Sequence, residues 1–198
     1  MACRRTRRTA GPDLSRTTVA RAIAIAEQLR YECSVLLDLY RKRESFTSDV
    51  PVADGSLVSV PPPSSQLDSR DKLWRLHSAL LQCYVLLERA IAKEEEELGG
   101  SKLDYETQRK MVKERLSLLI INTRELLKAV DGTVQTPSVA ELELVVPTAV
   151  FELKLWLYRV FQEVDYWIKM TITTLKALPP DLFKDNVRSR RSSRNARR

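Results

Sequence analysis

The sequence predicts an all-α protein: a long-chain four-helix bundle, up-up-down-down, with two long crossover loops. Three observations predict it. Four long segments carry apolar residues at helical spacing. Only five of the 198 residues are glycine, too few for a turn-dense β fold. The segments are joined by one short loop between two long ones, and loop reach then dictates direction.

The first segment runs from about Thr17 to Ser45. Val19, Ala22, Ile23, Ala26, Leu29, Cys33, Leu36, Leu37 and Tyr40 form one stripe along it. Pro51, Gly55 and the Pro61-Pro62-Pro63 run make 46–67 a long loop. Asp68 is a good cap for the second helix, and Leu73, Leu76, Leu80, Tyr84, Leu87, Ile91 and Leu98 are its stripe. His77 lies beside that stripe and reads as a partly buried structural residue. Gly99-Gly100 ends the helix. The run Glu94 to Glu97 opposes the helix dipole there and reads as a solvated end.

The third segment, about Asp104 to Val130, presents Val112, Leu116, Leu119, Ile120, Thr123, Leu126, Leu127 and Val130 on one side. Asp131-Gly132 stops it. A connection containing Pro137 leads to Pro147, with Glu141–Val146 as a short extended piece. The fourth helix is expected from about Thr148 to Leu178, ended by Pro179-Pro180, with Val150, Leu153, Leu157, Val160, Val164, Ile168, Thr171 and Leu175 as its stripe.

A helix of about 27 residues is about 40 Å long. The first loop and the 131–147 connection reach about 73 and 56 Å extended, so either can return a full helix length. The 99–103 loop reaches only about 16 Å. Helices two and three must therefore be antiparallel, and the other consecutive pairs are free to be parallel.

Charge and composition narrow the function. Lys and Arg number 33 against 26 Asp and Glu, a net +7. Residues 1–16 hold +4 of it and 181–198 hold +5, which leaves the body at −2. The ends read as flexible basic tails, 1–16 and 179–198, around a domain at 17–178. The body has no electrostatic support for specific nucleic-acid binding. No apolar run is long enough to cross a bilayer, so no membrane insertion is expected. Cys3, Cys33 and Cys83 are too few and too widely spaced for a disulfide framework or a zinc site. One histidine leaves little room for metal or acid–base chemistry, so neither an enzyme nor a cofactor is expected. The N-terminus lacks a secretory pattern, and the expected site of synthesis is the cytoplasm.

One residue does not fit a core. With Leu153 at zero and 100° per residue, the stripe of the fourth helix centres near about 30°. Phe151 lies at about 160°, in the first turn. Lys154 lies at about 100°, beside it on the helix surface. An outward aromatic with a cation next to it is a candidate binding hot spot.

Phe151-Glu152-Leu153-Lys154-Leu155-Trp156 resembles the Phe-x-x-Lys segment that opens the last helix in the ciliary neurotrophic factor branch of the interleukin-6-type cytokines. The likeness continues through Leu157-Tyr158-Arg159-Val160, Phe161-Gln162-Glu163 and Trp167 to Leu175. Ala53-Asp54-Gly55, Asp13-Leu14-Ser15-Arg16 and Leu36-Leu37-Asp38-Leu39-Tyr40 resemble segments of the same family.

The resemblance implies a neurotrophic signalling ligand that crosslinks receptor chains and acts outside the cell after non-classical release. Its implied partners are ciliary neurotrophic factor receptor α, the leukaemia inhibitory factor receptor and glycoprotein 130, with a weak homodimer also among its implications. Phe151 and Lys154 would form the third receptor face. Arg30 and Lys176 match basic positions of the first, α-receptor face. The second face would lie on helices one and three. The chain departs from the pattern at Ser64, where relatives carry an exposed Trp, at Met170 and Thr174, where charges are expected, and at Glu27, which replaces a base. The competing reading is a cytosolic helical adaptor whose basic tails bind RNA or anionic lipid.

Overall fold

The computed structural model describes residues 12–47, 56–99, 103–131, 146–179 and 182. The Ala53-Asp54-Gly55 segment, Cys3, the Asp131-Gly132 stop beyond residue 131, the extended piece before Val146 and most of both tails lie outside them. Among the described residues there are four helices and no strand: α1 (Pro12–Glu44), α2 (Ser69–Leu98), α3 (Leu103–Asp131) and α4 (Val150–Lys176).

Helix α1 starts five residues before its predicted limit of Thr17, at Pro12. Proline is at home in a first turn, where its fixed φ is helical and its missing N–H is no loss. Helix α2 begins as expected: the Asp68 carboxylate accepts from the Asp71 backbone N–H at 2.7 Å. It ends at Gly99, whose φ of +69° is easy only for glycine. Helix α4 is two residues shorter at each end than its predicted limits, and no side chain caps its start.

Cross-helix contacts give the directions. Glu27 meets Lys176, Cys33 meets Phe161 and Tyr40 meets Lys154, so α1 and α4 are antiparallel. His77 meets Thr123, Glu88 meets Lys113 and Glu94 meets Arg109, so α2 and α3 are antiparallel. Arg43 near the end of α1 meets Glu94 near the end of α2, which makes those two parallel. The bundle is up-up-down-down. Each of α1 and α2 packs against both α3 and α4, so the two parallel pairs are diagonal.

The core is built on the predicted stripes, although Ile23, Leu37, Tyr84, Ile91 and Leu98 are only half-buried and Val150 is exposed. Leu29, Leu36, Leu73, Leu80, Leu87, Leu116, Leu119, Leu157, Val160 and Ile168 are all closed to solvent. The end of the first crossover is fastened across α2 and α4. Val58 is buried, the Ser59 N–H donates to Gln82 Oε1 at 2.9 Å, and the Ser56 hydroxyl donates to Glu163 at 2.7 Å. Leu182, within the expected basic tail, is half-buried against the core, so the packed unit reaches past Leu178. Cys33 and Cys83 are buried free thiols, and burial raises both pKa values far above the ordinary range.

Two polar residues depart from expectation. His77 is buried outright, not partly, because α3 closes over it. Its Nδ1 lies 3.1 Å from Thr123 Oγ1, while its Nε2 has no partner. Glu94 is also 1% exposed, so the acidic run does not end in solvent throughout. Its Oε1 accepts from Arg43 Nη1, and its Oε2 accepts from Arg109 Nη1 and, at 3.0 Å, from the Tyr105 hydroxyl. Glu95, Glu96 and Glu97 are exposed, as read. A second buried carboxylate, Glu32 of α1, is held by Arg115 of α3 at 2.8 and 3.2 Å.

Desolvation, and then the positive charge of Arg124, hold the His77 pKa down at about 4 from an ordinary 6.5. Between those values the unfolded chain takes up a proton that the native state refuses, so stability falls as the pH falls through that window. In urea unfolding followed by circular dichroism, the wild type should lose of the order of 2–3 kcal/mol more than His77→Gln between pH 7 and pH 4. Parallel pH profiles of the two proteins would disprove this assignment.

Candidate functional site

The Phe151 ring stands in solvent at the head of α4, 66% exposed, with Val150 beside it at 53%. Two adjacent exposed apolar side chains on a rigid helix end make a small protruding knob. No core position competes for Phe151, because Leu153, Trp156 and Leu157 supply the buried face of those turns.

Lys154 does lie next on that flank, but its charge is not free. Its Nζ is 2.7 Å from Glu44 Oε2, and the Glu44 side chain is only 5% exposed. The Tyr40 hydroxyl donates to the Lys154 carbonyl at 3.0 Å. Tyr40 is itself packed among Phe46, Tyr105, Tyr158 and Phe161, with ring centroids 5.2–6.3 Å away. Arg41 Nε donates to the Tyr158 hydroxyl at 2.6 Å. The last turns of α1 thus grip the first turns of α4 through both backbone and side chain. Burial raises the Tyr40 and Tyr105 pKa values, with the negative charges of Glu44 and Glu94 adding to it, so both phenols stay protonated donors.

Arg30 and Lys176 lie farther down the same α1–α4 flank. The 25-residue separation of Phe151 and Lys176 corresponds to about 38 Å along α4. The four candidate residues therefore form two patches and not one. Lys176 Nζ is 2.6 Å from Glu27 Oε1, so the acid that replaces a base on α1 neutralises the base on α4. Arg30 is exposed and borders a groove shared with Glu27, Tyr31, Ser34, Asp165 and Lys169. Ser64 is exposed and Met170 half-buried, while Thr174 is 8% exposed and contributes little surface.

Several residues of these patches were not singled out from the sequence. Tyr31 is 66% exposed, and its position some 180° from the α1 stripe was the available signal. Val150 gave the opposite signal: at about 60° it reads as a stripe residue of α4, and its 53% exposure corrects that reading, because it is the first residue of the helix, at the end of the bundle. Glu44 had none, and Tyr40 was read only as a stripe residue, since their partners are more than 100 residues away.

Helix α3 carries a further exposed apolar set, Met111, Leu118 and Ile121. Among the described residues no His/Cys/Asp/Glu group is arranged to hold a metal ion, and no helix is long and apolar enough to cross a membrane.

A parallel-diagonal bundle with an exposed Phe-x-x-Lys at the head of its last helix matches the sequence likeness noted above. The family model for ciliary neurotrophic factor matches residues 5–188. The chain belongs to that family. It is accordingly a cytokine of the interleukin-6 type, and the family binds cytokine receptor chains. No individual curated protein matches the chain. Ciliary neurotrophic factor is a cytokine family and not an enzyme family.

Since two thirds of Phe151 is already in solvent, Phe151→Ala should leave the fold alone. Its melting temperature should stay within about 2 °C of wild type, the range of an ordinary surface substitution. A fall of 5 °C or more by circular dichroism would mean that the ring is part of the core.

Proposed function

We propose that this chain is a neurotrophic cytokine that crosslinks receptor chains and thereby triggers JAK-STAT signalling for neuronal survival and differentiation. The Phe151–Lys154 turn is the face for a receptor of the leukaemia inhibitory factor receptor type. The observation that carries this reading is the exposure of the Phe151 ring at the end of a helix that packs against both α1 and α2. A rigid aromatic loses little conformational entropy when a partner closes over it.

Arg30, Tyr31 and Lys176 belong to the face for an α receptor. The Glu27–Lys176 pair lowers the net charge available there, so this face relies less on electrostatic attraction than one with two free bases. The outer sides of α1 and α3 form the face for glycoprotein 130. Half-buried Val35 and Leu39 with Met111 and Leu118 supply its apolar surface. Three modest faces on one rigid body act together, because the first contact raises the effective concentration for the next. The ligand acts outside the producing cell, where these receptor faces are displayed.

Binding of the full chain to each of the three receptor ectodomains, separately and together, tests the reading. Phe151→Ala should bind the leukaemia inhibitory factor receptor at least about tenfold more weakly, the loss of a single hot spot. It should leave glycoprotein 130 binding intact and abolish a STAT reporter response. An unchanged dose–response would remove Phe151 from the receptor face. Retained STAT signalling by a chain that binds none of the ectodomains would overturn the assignment of receptors.

A further inference from the structure

We infer that Glu94 of α2 is a positioning residue for the Phe151–Lys154 face, acting through Arg43 and Glu44. The inference rests on the receptor face proposed above. It adds a residue that is buried, lies on a different helix and touches neither Phe151 nor Lys154.

The path is continuous in the structure. Glu94 Oε1 is paired with Arg43 Nη1. Arg43 Nε, on the same guanidinium, is 3.2 Å from Glu44 Oε1. Glu44 Oε2 is 2.7 Å from Lys154 Nζ. The other oxygen of Glu94 is occupied by Arg109 and Tyr105 of α3, and Arg109 reaches Glu95 at 2.6 Å. All four helices meet in this one chain of charges, at the end of the bundle where α4 begins. The Arg43 guanidinium also lies over the Tyr105 ring at 5.0 Å, which fixes its plane.

The geometry makes Arg43 the relay. Its planar fork holds two carboxylates in fixed relative positions, one through Nε and one through Nη1. With Glu94 in place, Glu44 has one orientation and presents its free oxygen to Lys154. Without Glu94, Arg43 is released to pair with Glu44 alone. Glu44 then competes for Arg43 instead of holding Lys154, and the first turn of α4 loses its side-chain tether. The Tyr40 bond to the Lys154 carbonyl remains, so α4 stays docked while the Phe151–Lys154 surface loosens. The predicted consequence is therefore selective for one face of the molecule.

The experiment compares wild type, Glu94→Gln and Arg43→Lys as full chains. Arg43→Lys keeps the charge and leaves Glu94 paired with Arg109, but an ammonium cannot bridge two carboxylates as the fork does. Binding to the leukaemia inhibitory factor receptor and glycoprotein 130 ectodomains is measured alongside the Nζ and ε-methylene NMR signals of Lys154. Both variants should bind the former about tenfold more weakly, bind the latter within about twofold of wild type, and shift the Lys154 signals toward those of a free lysine.

Equal losses for both receptors, or an unmoved Lys154 signal in a folded variant, would overturn the inference. If Glu94→Gln does not fold, Arg43→Lys decides: unchanged receptor binding and an unmoved Lys154 signal defeat the relay. If instead Phe151→Ala binds normally, the receptor-face reading fails on its own. The Lys154 signals then still judge whether Glu94 positions that turn.

Discussion

A carboxylate closed off from water near the end of α2 sets a condition that the rest of this bundle has to meet. Removing an ion from solvent costs several kcal/mol, and the cost is recovered only by close, well-oriented opposite charge and hydrogen bonds. Glu94 receives both, from Arg43 of α1, from Arg109 of α3 and from the Tyr105 hydroxyl. Those donors arrive together only if α1 ends where α2 ends and α3 starts there. A hydrophobic stripe tolerates sliding by a turn with modest loss. A buried carboxylate with three specified donors does not, so it fixes the register that the apolar residues leave loose.

The crossover lengths supply the freedom that this register needs. Because α1 and α2 are parallel and diagonal, the chain must travel back along the bundle before α2 begins. The segment that does so is put to use: Val58, Ser56 and Ser59 are fastened to α2 and α4, and the loop shields α2 on a side its neighbouring helices do not cover. Gln82 of α2, buried outside the predicted stripe, is the residue that Ser59 holds. An amphipathic helix seen alone shows one buried face, whereas α2 has a helix-facing side and a loop-facing side.

The same distinction separates what was legible in the sequence from what was not. Helix number and order follow from periodicity, and loop reach makes α2 and α3 antiparallel while permitting the parallel pairs, all from local properties. The exposure of Phe151 was legible because its angle on α4 depends only on neighbouring residues. Glu94 was not, because four consecutive glutamates look alike until Arg43 and Arg109 are placed opposite the first of them. His77 was half-legible: its angle put it beside the stripe, but its full burial depends on α3 and on Thr123. The state of Lys154 required Glu44, 110 positions away, and that of Lys176 required Glu27, 149 positions away. The sequence therefore pointed to the side chains that face outward and was silent on which of them are already held by the protein itself.

That difference between free and held bears on how the two ends of the α1–α4 flank would meet the receptors proposed for them. At the lower end, Glu27 and Lys176 are both about half exposed, and an ion pair in that setting is cheap to break. A receptor can exchange it for pairs of its own at little cost, so the surface there is adaptable. At the upper end, Lys154 is paired with a carboxylate almost out of solvent, and that carboxylate is tied through Arg43 to Glu94. Replacing that pair means disturbing a network that spans four helices. A receptor docking at this proposed face would therefore have to accept the surface as it stands, with the Phe151 ring at its centre and Lys154 held beside it. Preorganisation of that kind confers selectivity, because a receptor without a matching pocket cannot induce one by rearranging the ligand.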